Sequence, residues 1–248
     1  MKGHNGLYLM GNYPDPDTFI EAAVRGLDFF DFLEVGIPFS DPSADGPVIT
    51  DAAEAVLARN TTFDDVLGSV RRIRERAPVG KTIYAMAYAN TVFARGIGNF
   101  AEKASGAGIG GVIIPDVPFA ESERFIKTFA RHRMSFVRFI SPETTMEQIR
   151  KIASGAEGFL YFVSMRGITG GRFDLDAATV KKIRAARKCS PVPVVLGFGI
   201  VDIQSARRAL DHADGFVIGT RIIEILKDGG LDAAGEFFSA IAGCVGRA

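Results

Sequence analysis

Eight short apolar runs alternate with amphipathic stretches along the whole sequence, and no other feature limits the fold as much. The runs cover residues 7–10, 29–37, 82–88, 111–115, 136–140, 159–163, 193–196 and 215–218. Most are apolar at consecutive positions, as strands covered on both faces are. The segments between them have helical spacing. Phe63, Val66, Leu67, Val70 and Ile73 share one stripe, with Arg71, Arg72, Arg74 and Glu75 opposite. Met146, Ile149, Ile152 and Ala153 form a second stripe; Phe125, Ile126 and Phe129 form a third; Leu175, Ala178 and Ile183 fit a fourth more loosely. Asp15-Pro16-Asp17 and Thr61 to Asp65 carry N-terminal caps and acids. Gly26, Gly80, Gly108 and Gly155 are expected to mark helix ends.

Eight strand–helix units in 248 residues predict an α/β fold, a (β/α)8 TIM barrel with a parallel eight-stranded barrel. A doubly wound open sheet is the structural rival. It usually opens on a glycine-rich phosphate turn, whereas the first turn here is Gly11-Asn12-Tyr13-Pro14. No linker, charge block or short repeat breaks the chain, so residues 1–248 read as a single domain.

Composition narrows the function. Lys plus Arg and Asp plus Glu both number 29, so the formal net charge is zero. That disfavours nucleic acid and an anionic membrane surface as partners. Two Cys cannot build a disulfide framework for this length. No apolar run approaches a membrane span or a signal peptide, so a soluble, cytoplasmic protein is expected.

In a barrel, the chemistry sits where strands end. Glu34 lies within Phe32-Leu33-Glu34-Val35-Gly36-Ile37, and no Lys, Arg or His occurs between Arg25 and Arg59. Burial raises a carboxyl's pKa toward neutrality and suits it to proton transfer. The plainer alternative is a strand-end Glu paired with a distant cation. The stiff loop from Pro38 to Pro47 carries Asp41 and Asp45, which either cap turns or reach a site. Glycines follow the last three strands: Gly167, Gly170 and Gly171, then Gly197 and Gly199, then Gly219 beside Thr220. Such loops bind phosphate through backbone N–H groups, although turns also need glycine. Tyr8, Phe39, Tyr88, Tyr161 and Phe198 end strands or begin loops, and suggest a flat aromatic or apolar substrate with a phosphate tail. His4, His132 and His212 are scattered, no metal spacing appears, and no Lys ends a strand for Schiff-base chemistry.

The segment from Leu33 to Pro47 resembles the signature of the tryptophan synthase alpha chain family. Tyr88-Ala89-Asn90, Pro115-Asp116-Val117-Pro118, Tyr161 through Gly170, Gly197-Phe198-Gly199 and Gly219-Thr220 follow in register. The resemblance implies a TIM barrel and a lyase of tryptophan biosynthesis. It would cleave indole-3-glycerol phosphate by retro-aldol reaction to indole and glyceraldehyde 3-phosphate. By resemblance Glu34 is the acid–base residue and Asp45 stabilises the indole N–H. Tyr161 positions the substrate, and Tyr8, Met86 and Tyr88 line the indole pocket. Thr169 sits on a mobile loop that closes and bonds Asp45. Gly170, Gly199, Gly219 and Thr220 map onto phosphate contacts. The implied partner is the beta chain in an alpha2beta2 complex, with Asp41, Asp116 and Pro118 at or near that interface. The alpha chain carries no cofactor; pyridoxal phosphate belongs to the beta chain. A free-standing lyase and a non-catalytic phosphate-binding barrel are the alternatives.

Three departures accompany the resemblance. The family's N-terminal helix is largely absent, so exposed apolar surface or another cover is expected at the barrel bottom. The family's Gly-Asp-Pro after the first strand reads Asn12-Tyr13-Pro14, and a commonly basic residue before Arg166 is Met165.

Overall fold

The structure, a computed structural model, describes residues 4–163, 175–197 and 199–244. In chain order the strands are β1 (Gly6–Met10), β2 (Phe32–Gly36), β3 (Thr82–Met86), β4 (Gly111–Ile113), β5 (Ser135–Phe136), β6 (Arg138–Ile140), β7 (Leu160–Phe162), β8 (Val194–Leu196) and β9 (Gly215–Ile218). All pairings are parallel, in the order β5-β4-β3-β2-β1-β9-β8-β7-β6. The two ends of that order, β5 and β6, are separated only by Val137, whose N–H still bonds to Val112. They are two halves of one barrel stave. Nine segments therefore trace the eight expected staves, and the sheet returns on itself.

The helices are α1 (Pro16–Phe29), α2 (Pro47–Leu57), α3 (Phe63–Arg76), α4 (Ala89–Arg95), α5 (Ile97–Gly106), α6 (Glu123–Arg131), α7 (Met146–Ala153), α8 (Ala177–Cys189), α9 (Ile203–Leu210), α10 (Thr220–Asp228) and α11 (Gly230–Cys244). Asp15 caps α1 through the N–H groups of Asp17 and Thr18, and Thr62 forms a capping box with Asp65 on α3. The stripes expected on α3, α6 and α7 are the faces these helices bury. Two expectations need correction. Gly26 lies inside α1, where an added Cβ would meet Leu7 at 2.2 Å, so it serves helix–strand packing. On α8 the buried residues are Thr179, Ile183 and Ala186, while Ala178 is exposed and Leu175 precedes the helix.

The consecutive apolar runs divide between two cores. Leu7, Leu9, Leu33, Val35, Ile83, Ala85 and Val112 pack outward against the helices. Tyr8, Met10, Phe32, Tyr84, Phe159, Tyr161, Val195 and Val217 fill the barrel interior. Successive residues of a strand point to opposite faces, so both faces are buried against different neighbours. At the bottom, the His4 ring stacks on Phe32 with centroids 4.8 Å apart. Phe32 in turn stacks on Phe159 at 4.8 Å and meets Tyr84 edge-on at 5.5 Å. These rings close the base of the interior. At the bottom end, Val79, in the turn before β3, is fully exposed.

Candidate active site

Glu34 and the residues around it occupy the layer directly above those rings. Phe32 and Glu34 are two residues apart on β2, so the strand period puts both side chains on the inner face. Tyr8, Glu34 and Tyr84 are register partners across β1, β2 and β3. Glu34 is only 2% exposed. The Tyr161 hydroxyl donates to its Oε2 at 3.3 Å, while Oε1 is buried without a partner. Among the described residues no cation pairs with it. Burial pushes its pKa up to about 8, and the Tyr161 hydrogen bond opposes the rise only in part.

Asp45 reaches the same region from the loop between β2 and α2. The Tyr88 hydroxyl donates to Asp45 Oδ2 at 3.0 Å and accepts from the Ala44 N–H at 3.0 Å. Phe39 stacks on the Tyr88 ring at 5.2 Å. Tyr88, the N-cap of α4 just past β3, thereby pins the loop. Burial raises the Asp45 pKa, and the Tyr88 hydrogen bond works against that rise. The two aspartates of the loop part company: Asp41 is exposed and takes its hydrogen bond from the neighbouring Ser40 hydroxyl.

Tyr8 and Tyr161 are held above normal pKa mainly by burial, with Glu34 and Asp45 adding to the effect. Glycines on neighbouring strands make room for both rings. A Cβ on Gly36 would fall 2.2 Å from the Tyr8 hydroxyl, and one on Gly197 would fall 2.4 Å from the Tyr161 ring. Gly197 therefore serves packing as well as a turn. Met86, half-buried at the end of β3, faces the same interior. Tyr84 was not singled out from the sequence. It lies beside Glu34, and burial drives its pKa to about 12. Its signal was present as period-two spacing with Met86.

The expected phosphate end is divided by its helix caps. Asp176 caps α8 and Asp202 caps α9, and the amides they accept from hold both carboxyls below their ordinary pKa. On α10 the N-cap is Gly219 with no side-chain cap, followed by exposed Thr220. Among the described residues no backbone group bonds the Thr220 and Arg221 N–H, which suit an anion. Gly199 has φ +73°, a left-handed conformation that favours glycine. Thr169 and Gly170, with Met165 and Phe198, lie outside the described residues. After β1, Asn12 takes φ 63°, which asparagine tolerates, and Tyr13 is buried in the interior core.

Asp116 and Pro118 are exposed and outside this layer. Asp116 accepts from the Ala89 N–H at 2.9 and 3.1 Å, which caps α4 across the loop. Both line an open hollow of about 480 Å³ with Phe93, Arg124 and Phe125. Phe93 is 43% exposed, and the Arg124 guanidinium lies 4.4 Å from its ring centroid. Among the described residues no cluster of His, Cys, Asp and Glu forms a metal-binding group, and no helix is long and apolar enough to cross a membrane.

Residues 6–238 match the family model for the tryptophan synthase alpha chain. The chain is 39% identical over 197 residues to a tryptophan synthase alpha chain of Geobacter sulfurreducens, covering 79% of this chain and 74% of the relative. It is 37% identical over 240 residues to one from Burkholderia lata, covering 94% and 87%. Among solved structures it is similar to the Campylobacter jejuni tryptophan synthase subunit alpha, with TM-score 0.84, 31% identity and coverage of 97% and 96%. The corresponding subunit from Legionella pneumophila gives TM-score 0.87, 29% identity and coverage of 99% and 94%. The chain belongs to the tryptophan synthase alpha chain family.

Proposed function

We propose that this chain cleaves indole-3-glycerol phosphate to indole and glyceraldehyde 3-phosphate as the alpha subunit of a tryptophan synthase. The observation that carries the reading is Glu34: a carboxyl buried in the barrel interior, free of any cation among the described residues, with its pKa lifted to about 8. Such a group is a protonated acid at neutral pH.

Tyr161 holds Oε2 and leaves Oε1 to carry the exchangeable proton. Glu34 gives that proton to indole C3, and positive charge develops on the ring N–H. The Asp45 carboxylate, oriented by Tyr88, stabilises that charge. Glu34 then takes the proton of the hydroxyl on the side-chain carbon bonded to C3. The C–C bond breaks, its electrons return to the indole, and the carbon becomes the aldehyde of the second product. Glu34 ends as it began, so the cycle consumes no external acid or base.

Tyr8, Met86 and Tyr88 would enclose the indole. The open first turn of α10 with Gly199, Gly219 and Thr220 would hold the phosphate, and the roles expected of Thr169 and Gly170 belong to the same proposal. The beta chain, which supplies pyridoxal phosphate in this family, would dock over Asp41 and the Asp116–Pro118 loop in an alpha2beta2 assembly. The hollow beside exposed Phe93 supports that placement. The chain would act in the cytoplasm as a single barrel domain.

The test is indole release from indole-3-glycerol phosphate by the pure chain, with and without a cognate beta chain. Large stimulation is expected. High activity alone would mark a free-standing lyase, and no indole under either condition would leave a non-catalytic barrel. Glu34→Gln should lower the rate by about 10²–10⁴ while binding substrate; retained turnover would remove Glu34 from the mechanism.

A further inference from the structure

Two polar atoms in the upper barrel layer are buried without a partner and differ in kind. Glu34 Oε1 is one, and the Tyr8 hydroxyl is the other. Tyr8 is 5% exposed. A buried phenol with no hydrogen-bond partner in the protein is costly unless a bound group supplies one. The two residues are register partners on adjacent parallel strands, roughly 4.8 Å apart in backbone, and both point inward.

The Tyr8 ring is closely confined. It lies against Gly219, where an added Cβ would come 3.0 Å from ring atom Cδ1, and its hydroxyl lies against Gly36. Gly219 is the N-cap of α10, and Gly36 is two residues beyond Glu34 on β2. The ring therefore bridges the open helix end and the acid. Any side chain running from an anion at α10 to a reacting carbon at Glu34 passes Tyr8.

We propose that Tyr8 is a further catalytic residue, whose hydroxyl donates a hydrogen bond to the substrate hydroxyl that Glu34 deprotonates. This rests on the reading given above. Once Glu34 has given its proton to indole C3, one alcohol satisfies both orphans: it donates its proton to Glu34 Oε1 and accepts from Tyr8. As that proton leaves, the alcohol oxygen gains charge, which the phenol donor stabilises until the carbonyl forms. No proton is transferred from Tyr8. An apolar ring at this position would enclose the indole equally well and leave the alcohol oxygen without its donor.

The test compares Tyr8→Phe with wild type on two ligands. One is indole-3-glycerol phosphate; the other is indole-3-propyl phosphate, which lacks the side-chain hydroxyls. The chain contains no Trp, so fluorescence of the bound indole reports binding of the second ligand against a tyrosine background alone. Expected are a loss of about tenfold or more in kcat/KM, the worth of one hydrogen bond that strengthens as charge develops, and unchanged affinity for the propyl phosphate. Retained affinity also shows that the variant is folded. Equal losses on both ligands would make Tyr8 a packing residue and overturn the proposal, as would unchanged kcat/KM. If wild type itself releases no indole, the functional reading falls and takes the proposal with it; that outcome is visible before the variant is made.

Discussion

The lower and upper layers of the barrel interior are built from the same strands and differ by two residues along each. Below are Phe32 and Phe159, stacked at 4.8 Å and fully buried. Above are Glu34 and Tyr161, joined by one 3.3 Å hydrogen bond, with orphaned oxygens on Glu34 and Tyr8. Both layers are buried, Phe32 and Phe159 fully and Glu34, Tyr8 and Tyr161 to within 6%. The lower layer spends this burial on apolar area, which stabilises the fold by roughly 1.5–3 kcal/mol per large side chain. The upper layer uses the same dry surroundings to hold a carboxylic acid neutral. Position along the barrel axis, not burial, separates structure from chemistry.

The largest contrast should come from paired substitutions on β2. Glu34→Gln is expected to remove nearly all turnover yet become increasingly more stable than wild type as pH rises. The unfolded chain ionises Glu34 above its ordinary pKa near 4.5, whereas the folded chain holds the proton to about pH 8. The folded state binds more protons in that window, so wild-type stability falls across it. The Gln variant does not titrate there, and its advantage should grow from pH 4.5 to about 8, reaching on the order of a few kcal/mol. Denaturant unfolding at several pH values measures this. Phe32→Ala should do the reverse, costing about 3–5 kcal/mol of stability with the rate per folded molecule little changed. Loss of turnover without loss of stability would merge the two layers. A smaller effect is expected for Gly36→Ala, whose Cβ would meet the Tyr8 hydroxyl at 2.2 Å. Displacing Tyr8 should cost about 1–3 kcal/mol and depress kcat/KM together with stability.

The fold was legible because each run of apolar residues is long enough to mark a stave. The β5–β6 break at Val137 was not, since Phe136, Val137, Phe139 and Ile140 keep the run largely apolar around Arg138. Gly26 misled because a glycine that admits Leu7 looks, in sequence, like one that ends a helix. Glu34 was legible from its apolar neighbours and the absence of nearby cations. Its orphaned oxygen was not, because that depends on where Tyr161 falls from a strand 127 residues away. Asp41 and Asp45 are separated in sequence only by the family resemblance: both sit in the same stiff loop, and in the structure the Tyr88 hydrogen bond distinguishes them. Gly219 was legible as a phosphate-site candidate, but that its helix end lacks a side-chain cap, unlike the aspartate-capped α8 and α9, shows only in the structure.

The central claim is that the upper layer keeps a neutral carboxylic acid where the lower layer keeps rings. Titration of the Glu34 carboxyl tests it most directly, by NMR of the chain labelled with carboxyl-13C glutamate. Glu34→Gln identifies the resonance. A midpoint at about pH 8 is predicted. A midpoint at the ordinary glutamate value near 4.5 would mean that Glu34 is ionised at neutral pH, and would contradict the account.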